Sequence, residues 1–307
     1  MRRQWMVWCM ALCLAACGGG GGGGDDDDGG GDSGIVGESS GGSGDTGGTG
    51  DSGDTGGTGG TGGTATSWYQ PGVGITWQWQ LLGNVDTSVA AALYDIDLFD
   101  VDAAQIAALQ AAGHRVICYF SAGSYEGWRP DASRFQAAEL GKTLDGFADE
   151  RWLDVGSANV AAIMKDRLDL AVQKGCDGVE PDNVDGWDND TGFTLSRDTQ
   201  LAFNRMLASE SHARGLAVGL KNALGQIPDL VGDFDFAVNE QCFEFDECDA
   251  LAPFIAAGKP VLGAEYLASY VNDVAARDAM CADARQRGFS TLVLPLDLDN
   301  SFRFSCL

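Results

Sequence analysis

A chain of 307 residues with 45 Asp and Glu against 19 Lys and Arg carries a formal net charge of −26. So acidic a surface repels nucleic acid and anionic lipid headgroups, which excludes nucleic-acid binding, and it attracts cations, which favours a polycationic partner or substrate. Solubility alone also accounts for acidity, so the charge narrows the function without choosing it.

The chain opens on Arg2 and Arg3 and an uncharged apolar run over residues 5–16, the layout of a secretory signal and too short to cross a bilayer. Leu14-Ala15-Ala16-Cys17 resembles the lipobox of bacterial lipoproteins, which implies cleavage before Cys17 and its lipidation. Gly18 after the cysteine favours the outer membrane, so the expected location is exported and lipid-anchored, at the outer membrane or cell surface of a bacterium. Residues 18–64 are almost only Gly, Ser, Thr and Asp and have too little apolar surface to offset their conformational entropy. They read as a tether, a coil spanning on the order of 35–40 Å. The expected organisation is a signal peptide over 1–16, lipidated Cys17 and tether over 17–64, and one domain over 65–307.

Within that domain, short apolar β-type runs fall at 75–82, 91–99, 115–121, 176–182, 216–221, 234–240, 260–266 and 291–296. Helical periodicity lies between them at 103–112, 160–174, 199–214, 248–257 and 271–287, closed by Gly113, Gly175, Gly215, Gly258 and Gly288. Repetition of helix, glycine and strand is the signature of parallel βαβ units. Eight strands, and no Gly-x-Gly-x-x-Gly turn after the first, favour a (β/α)8 TIM barrel over a doubly wound open sheet.

Six cysteines follow Cys17, an even number in an exported chain, and disulfides are the default. Fifteen pairings are open. Sequence proximity favours Cys242 with Cys248, Cys281 with Cys306 and Cys118 with Cys176. No pair has zinc-site spacing and the domain's histidines are His114 and His212, so neither metal nor cofactor is expected. The loop over 185–190 is rich in aspartate but lacks EF-hand spacing.

Active sites of such barrels sit where strands end. Here the strand ends carry Asp95, Asp97, Tyr119, Glu180, Asp182, Lys221, Glu240, Glu265 and Tyr266, a convergence of carboxylates on one mouth. Cleaving a glycosidic bond needs one acid to protonate the leaving oxygen and one carboxylate to attack the anomeric carbon or activate water. Asp182 and Glu240, each closing an apolar strand, are the leading pair. Glu180 shares a strand face with Asp182 one layer deeper, placed to tune it. Asp185 follows in the next loop.

The blocks Trp77-Gln78-Trp79-Gln80-Leu81, Tyr94-Asp95-Ile96-Asp97, Val116-Ile117-Cys118-Tyr119-Phe120-Ser121-Ala122-Gly123, Glu126-x-Trp128-Arg129-Pro130-Asp131, Trp152-Leu153-Asp154, Gly178-Val179-Glu180-Pro181-Asp182-Asn183-Val184-Asp185, Gly219-Leu220-Lys221-Asn222, Asn239-Glu240-Gln241-Cys242 and Glu265-Tyr266 resemble glycoside hydrolase family 114, the endo-α-1,4-polygalactosaminidases. The resemblance spans nearly the whole domain and implies a barrel whose catalytic pair falls on Asp182 and Glu240. Asp182, beside Asn183 and near Lys221, is expected to stay ionised as nucleophile, and Glu240, in an apolar setting, to serve as general acid and base in a retaining cycle. Asp95, Asp97, Asp185 and Glu265 are then expected to bind substrate amines and hydroxyls. Trp77, Tyr119 and Tyr266 are expected to pack on sugar faces, and Lys221 to hold a carboxylate in place. The expected partner is a cationic galactosamine-containing polysaccharide, met by a monomer that touches membrane only through its lipid. A carbohydrate-binding surface lipoprotein without turnover is the alternative, disfavoured by the presence of both acids.

Overall fold

The computed structural model describes residues 68–307; the expected signal segment, Cys17 and the expected tether lie outside the described residues. Strands β1 (Trp77–Gln80), β2 (Leu93–Asp97) and β3 (Arg115–Ser121) pair in parallel. A small antiparallel sheet follows, made of β4 (Ser124–Glu126), β5 (Leu140–Leu144) and β6 (Phe147–Leu153) in the order β4-β6-β5. The parallel series then resumes with β7 (Gly178–Asp182), β8 (Ala217–Lys221), β9 (Phe236–Glu240), β10 (Val261–Glu265) and β11 (Ser290–Val293). A short antiparallel strand, β12 (Phe304–Ser305), borders β11. The series curls until its edges meet. Trp77 Nε1 donates to the Ser290 carbonyl at 2.7 Å, Arg303 Nη2 to the Trp77 carbonyl at 2.7 Å and the Leu81 amide to the Leu298 carbonyl at 3.0 Å. The fold is a (β/α)8 barrel, as its eight strand runs predict.

Helices α1 (Ala103–Ala111), α2 (Ala158–Lys174), α3 (Arg197–Ala213), α4 (Ile227–Leu230), α5 (Ala252–Ala256), α6 (Ala268–Asn272) and α7 (Val274–Arg287) occupy the crossovers. Asp102, Ser157, Ser196 and Asp273 cap the longer ones, each accepting a first-turn amide. Two helical stretches differ from their sequence reading. The one over 271–287 is interrupted at Asp273, whose backbone is extended and whose side chain caps α7 through the Ala275 and Ala276 amides. In the 248–257 stretch Pro253, lacking an N–H, sits in the first turn of α5, and residues 248–251 form a 3-10 turn instead.

Strand alternation divides the core in two. Leu93, Ile117, Ala217, Phe236, Val238, Leu262, Ala264 and Leu292 fill the barrel with Trp77 and Trp79. Residues of opposite parity, such as Tyr94, Ile96, Val116, Cys118, Val218 and Val261, pack outward with α1 to α3. Gly219 makes room inside: a Cβ there would stand 2.3 Å from the Phe236 ring. All three expected disulfides form, Cys118–Cys176, Cys242–Cys248 and Cys281–Cys306.

Candidate active site

Parity decides what faces the mouth. The inward positions that put Ile117, Ala217, Val238 and Ala264 in the barrel continue to Tyr119, Lys221, Glu240 and Tyr266, and on β7 to Glu180 and then Asp182. Their apolar lower halves fix the strands, so the polar upper halves converge without freedom to splay.

Lys221 is the hub. Its Nζ lies 3.2 Å from Asp182 Oδ1, 3.2 Å from Glu240 Oε2 and 3.3 Å from Glu180 Oε1, over the Trp79 ring at 4.7 Å from the centroid. Only 2% exposed, the ammonium is disfavoured by burial, but the charges of Asp182, Glu240 and Glu180 outweigh that and push its pKa well up, so it stays charged. Beneath it Asp95 and Glu180, both fully buried, face each other with no donor in hydrogen-bond geometry. Burial raises both pKa values, and the Asp95 charge adds to the rise at Glu180, so the pair holds a proton more tightly than free carboxyls do.

Each leading carboxylate has its own set of donors. Asp182 Oδ2 accepts from the Tyr119 hydroxyl at 2.9 Å, and Oδ1 from the Asn183 amide at 2.7 Å as well as from Lys221. Its carbonyl takes the amides of Ala122 and Gly123 at 2.8 and 3.1 Å. Only glycine permits that approach, since a Cβ on Gly123 would lie 1.7 Å from the Asn183 carbonyl oxygen. Glu240 Oε1 accepts from the Tyr266 hydroxyl at 2.5 Å, and Oε2 meets Asn222 Nδ2 at 3.3 Å. Burial first, then the neighbouring carboxylate, lifts the pKa of both phenols well above the usual range, Asp182 acting on Tyr119 and Glu240 on Tyr266, so both remain donors.

The backbone reverses sharply just beyond these groups. Asn183, Asn222, Ala223 and Gln241, which follow β7, β8 and β9, have φ of 59°, 47°, 49° and 63°. Positive φ at non-glycine residues costs on the order of 1 kcal/mol each, and such strain gathers where function fixes a geometry. Asn222 is positioned by it: its Oδ1 accepts from the Glu240 amide at 3.0 Å and from Asn239 Nδ2 at 3.2 Å while its Nδ2 faces the Glu240 carboxylate.

Two carboxylates held across one ammonium, on inward positions at the C-terminal mouth of a barrel, are equipped for glycosidic acid–base chemistry. A model of glycoside-hydrolase family GH114 matches residues 60–307. The chain belongs to this family. It is similar to Aspergillus fumigatus Ega3, solved in complex with galactosamine, at 47% identity and a TM-score of 0.73, covering 78% of this chain and 97% of that one. The glycoside hydrolase domain of PelA from Pseudomonas aeruginosa shares the fold at 17% identity and a TM-score of 0.60, covering 74% of this chain and 96% of that one. No curated protein sequence matches the chain.

In this GH114 hydrolase the structure brings Asp182, Glu240, Lys221, Tyr119, Tyr266 and Asp95 into one cluster. Asp185 stands beside it, its pKa pushed up to about 6 by burial and by the Asp182 charge. Three expected sugar contacts lie outside this cluster. Trp77, at the start of β1, is 1% exposed and stacks on Trp79 at the bottom of the barrel, so it reaches no sugar. Asp97 is engaged bidentately by Arg129 at 2.7 and 3.0 Å, also accepts the Phe99 amide and is only 4% exposed, so it is committed to the protein rather than to a substrate amine. Glu265 has outward parity and accepts the Phe243 amide at 3.0 Å under the loop after β9. Glu240 does not have the apolar surroundings expected of it: a hydroxyl, an amide and an ammonium contact it.

Sequence reasoning missed Trp79 and Glu150. Strand direction identifies Trp79, since it lies two residues nearer the mouth than Trp77 on the same face. Glu150 comes from the small antiparallel sheet: burial, then the charges of Glu126 and Asp182, push its pKa up to about 7 although Ser124 Oγ donates to it at 2.6 Å. Ser124 links through Ser121 Oγ to Asn183 Nδ2, so the added sheet is wired to the turn beside Asp182. Among the described residues no group of three or more His, Cys, Asp or Glu is arranged to hold a metal ion.

Proposed function

We propose that this glycoside hydrolase cuts α-1,4-linked galactosamine polymers from within, with Asp182 as nucleophile and Glu240 as general acid and base in a retaining cycle. The carrying observation is the Lys221 bridge. Because one nitrogen lies 3.2 Å from an oxygen of each acid, those oxygens are no more than twice that distance apart. That limit admits the roughly 5–5.5 Å separation of retaining enzymes and ends at the lower edge of the roughly 6.5–9.5 Å of inverting ones, which supports retention. In the first step Asp182 attacks the anomeric carbon as Glu240 gives its proton to the departing glycosidic oxygen. In the second, Glu240 takes a proton from the water that attacks the glycosyl ester, and Asp182 leaves as carboxylate. Asp182 is held in place by Tyr119, Lys221 and the Asn183 amide, while Glu240, at 26% side-chain exposure the more open of the two, can meet the leaving group and water.

Galactosamine as the sugar is supported by likeness to Ega3 and by the net charge of −26, which suits a polyammonium chain. The test is incubation of the full chain with α-1,4-linked galactosamine polymer and, separately, β-1,4-linked glucosamine polymer, followed by proton NMR. Oligosaccharides from the first only, with the α-anomer appearing before mutarotation, are expected. No products from the α-linked polymer would overturn the activity, and a β-anomer formed first would overturn retention.

We further propose export and anchoring through Cys17, supported by Leu14-Ala15-Ala16-Cys17 and by the three disulfides, which belong to an oxidising compartment. Incorporation of labelled palmitate that is abolished by Cys17→Ala is expected, and label retained in that variant would refute it.

A further inference from the structure

Glu240 is followed by a loop whose build its catalytic neighbours do not require. The segment from Cys242 to Cys248 is closed on itself by a disulfide and tightened by two backbone bonds, the Phe245 amide to the Gln241 carbonyl at 3.0 Å and the Glu247 amide to the Cys242 carbonyl at 2.9 Å. This rigid loop carries Phe245 60% exposed. Flanking it are Glu244, Asp246 and Glu247, with the Glu244 carboxylate oriented by Gln241 Nε2 at 2.7 Å. Below lies Glu265, 1% exposed, whose Oε1 takes the Phe243 amide and whose Oε2 has no hydrogen-bond partner. Glu244 and Glu247 are the charges that act on it. Among the described residues none of Glu244, Glu247 and Glu265 belongs to an ion pair.

A benzyl ring held in water by a locked loop adds nothing to the core, and carboxylates without cations set up a negative field around it. An aminosugar answers both features. Its C–H face stacks on an aromatic ring, and its ammonium is attracted by carboxylates and by the ring face. We propose that the loop from Cys242 to Cys248 is a subsite for an ammonium-bearing sugar residue of the polymer, on the leaving-group side of the bond that Glu240 protonates. This rests on the proposed role of Glu240.

The test compares kcat/KM on deacetylated α-1,4-galactosamine polymer for the full chain and for Phe245→Ala, Phe245→Tyr and the double variant Glu244→Gln/Glu247→Gln, at low salt and near 0.5 M NaCl. The alanine variant is expected to lose about tenfold, mainly through KM, and the tyrosine variant to stay within about twofold of the parent. The double variant is expected to lose about tenfold at low salt and about twofold at high salt, because screening removes ammonium–carboxylate attraction from the parent as well. Loop variants that all remain within twofold of the parent, or losses that persist unchanged at high salt and in Phe245→Tyr, overturn the subsite. A parent that releases no products overturns the hydrolase proposal itself, a distinguishable failure.

Discussion

Taking an ammonium out of water costs several kcal/mol, and Lys221 recovers it from three carboxylates that would otherwise repel one another. Removing it leaves Glu180, Asp182 and Glu240 without their shared cation. Lys221→Met is therefore expected to destabilise the domain by about 3–5 kcal/mol in chemical denaturation and to lower kcat by about a hundredfold or more, since both acids lose their orientation. A Lys221→Met enzyme with parental kcat would show that the bridge is only structural. At this scale the sequence was legible wherever alternation was followed along a strand to its end: Lys221, Glu240 and Tyr266 share the inward parity of Ala217, Val238 and Ala264, and Asp182 that of Glu180. Glu265 was misread because adjacency to Tyr266 places it on the opposite face, and Asp97 because its partner Arg129 is distant in sequence.

Among the elements, the added sheet β4–β6 shapes the mouth on the Asp182 side and is fastened by two buried arginines. Arg129 pairs with Asp97 and Glu126 at 2.7 Å each, Arg167 pairs with Asp131 at 2.9 Å and donates to the Ser121 carbonyl at 2.6 Å, and both guanidiniums lie against the Phe99 ring. Breaking such a network from one side strands buried charge. Arg129→Ala is expected to cost about 3–5 kcal/mol of unfolding free energy, with the midpoint of denaturation as the readout, and a shift below about 1 kcal/mol would contradict a buried role. The sheet escaped sequence reading because its strands are short and polar. One signal was present: Asp145-Gly146, with Gly146 at φ 80°, joins the paired residues Leu144 and Phe147 as a two-residue hairpin turn. The eight barrel strands were readable because helix, glycine and strand recur in register with apolar parity, a regularity the insertion lacks.

Across the whole molecule, acidity and buried carboxyls set a common pH response. Glu150 and Glu265, each pushed up to about 7, and Asp185, pushed up to about 6, are all raised chiefly by burial. Between roughly pH 4 and 7 the folded domain therefore holds protons that the unfolded chain has released, so stability falls as pH rises through that window. Carboxyls whose pKa is lowered, such as Asp86, Glu139 and Asp229, titrate below it and do not offset the trend. A melting temperature about 3–5 °C higher at pH 5 than at pH 8 is expected, and an equal or lower value at pH 5 would contradict the burial of these groups. The same concentration of negative charge that makes the fold sensitive to alkali underlies the proposed binding of a polycation. The decisive measurement is release of oligosaccharides from α-1,4-galactosamine polymer by the full chain, run beside Asp182→Asn and Glu240→Gln. Activity in the parent with a loss of about a thousandfold or more in each variant is the expected result, and activity within about tenfold of the parent in either would contradict the pair that Lys221 holds together.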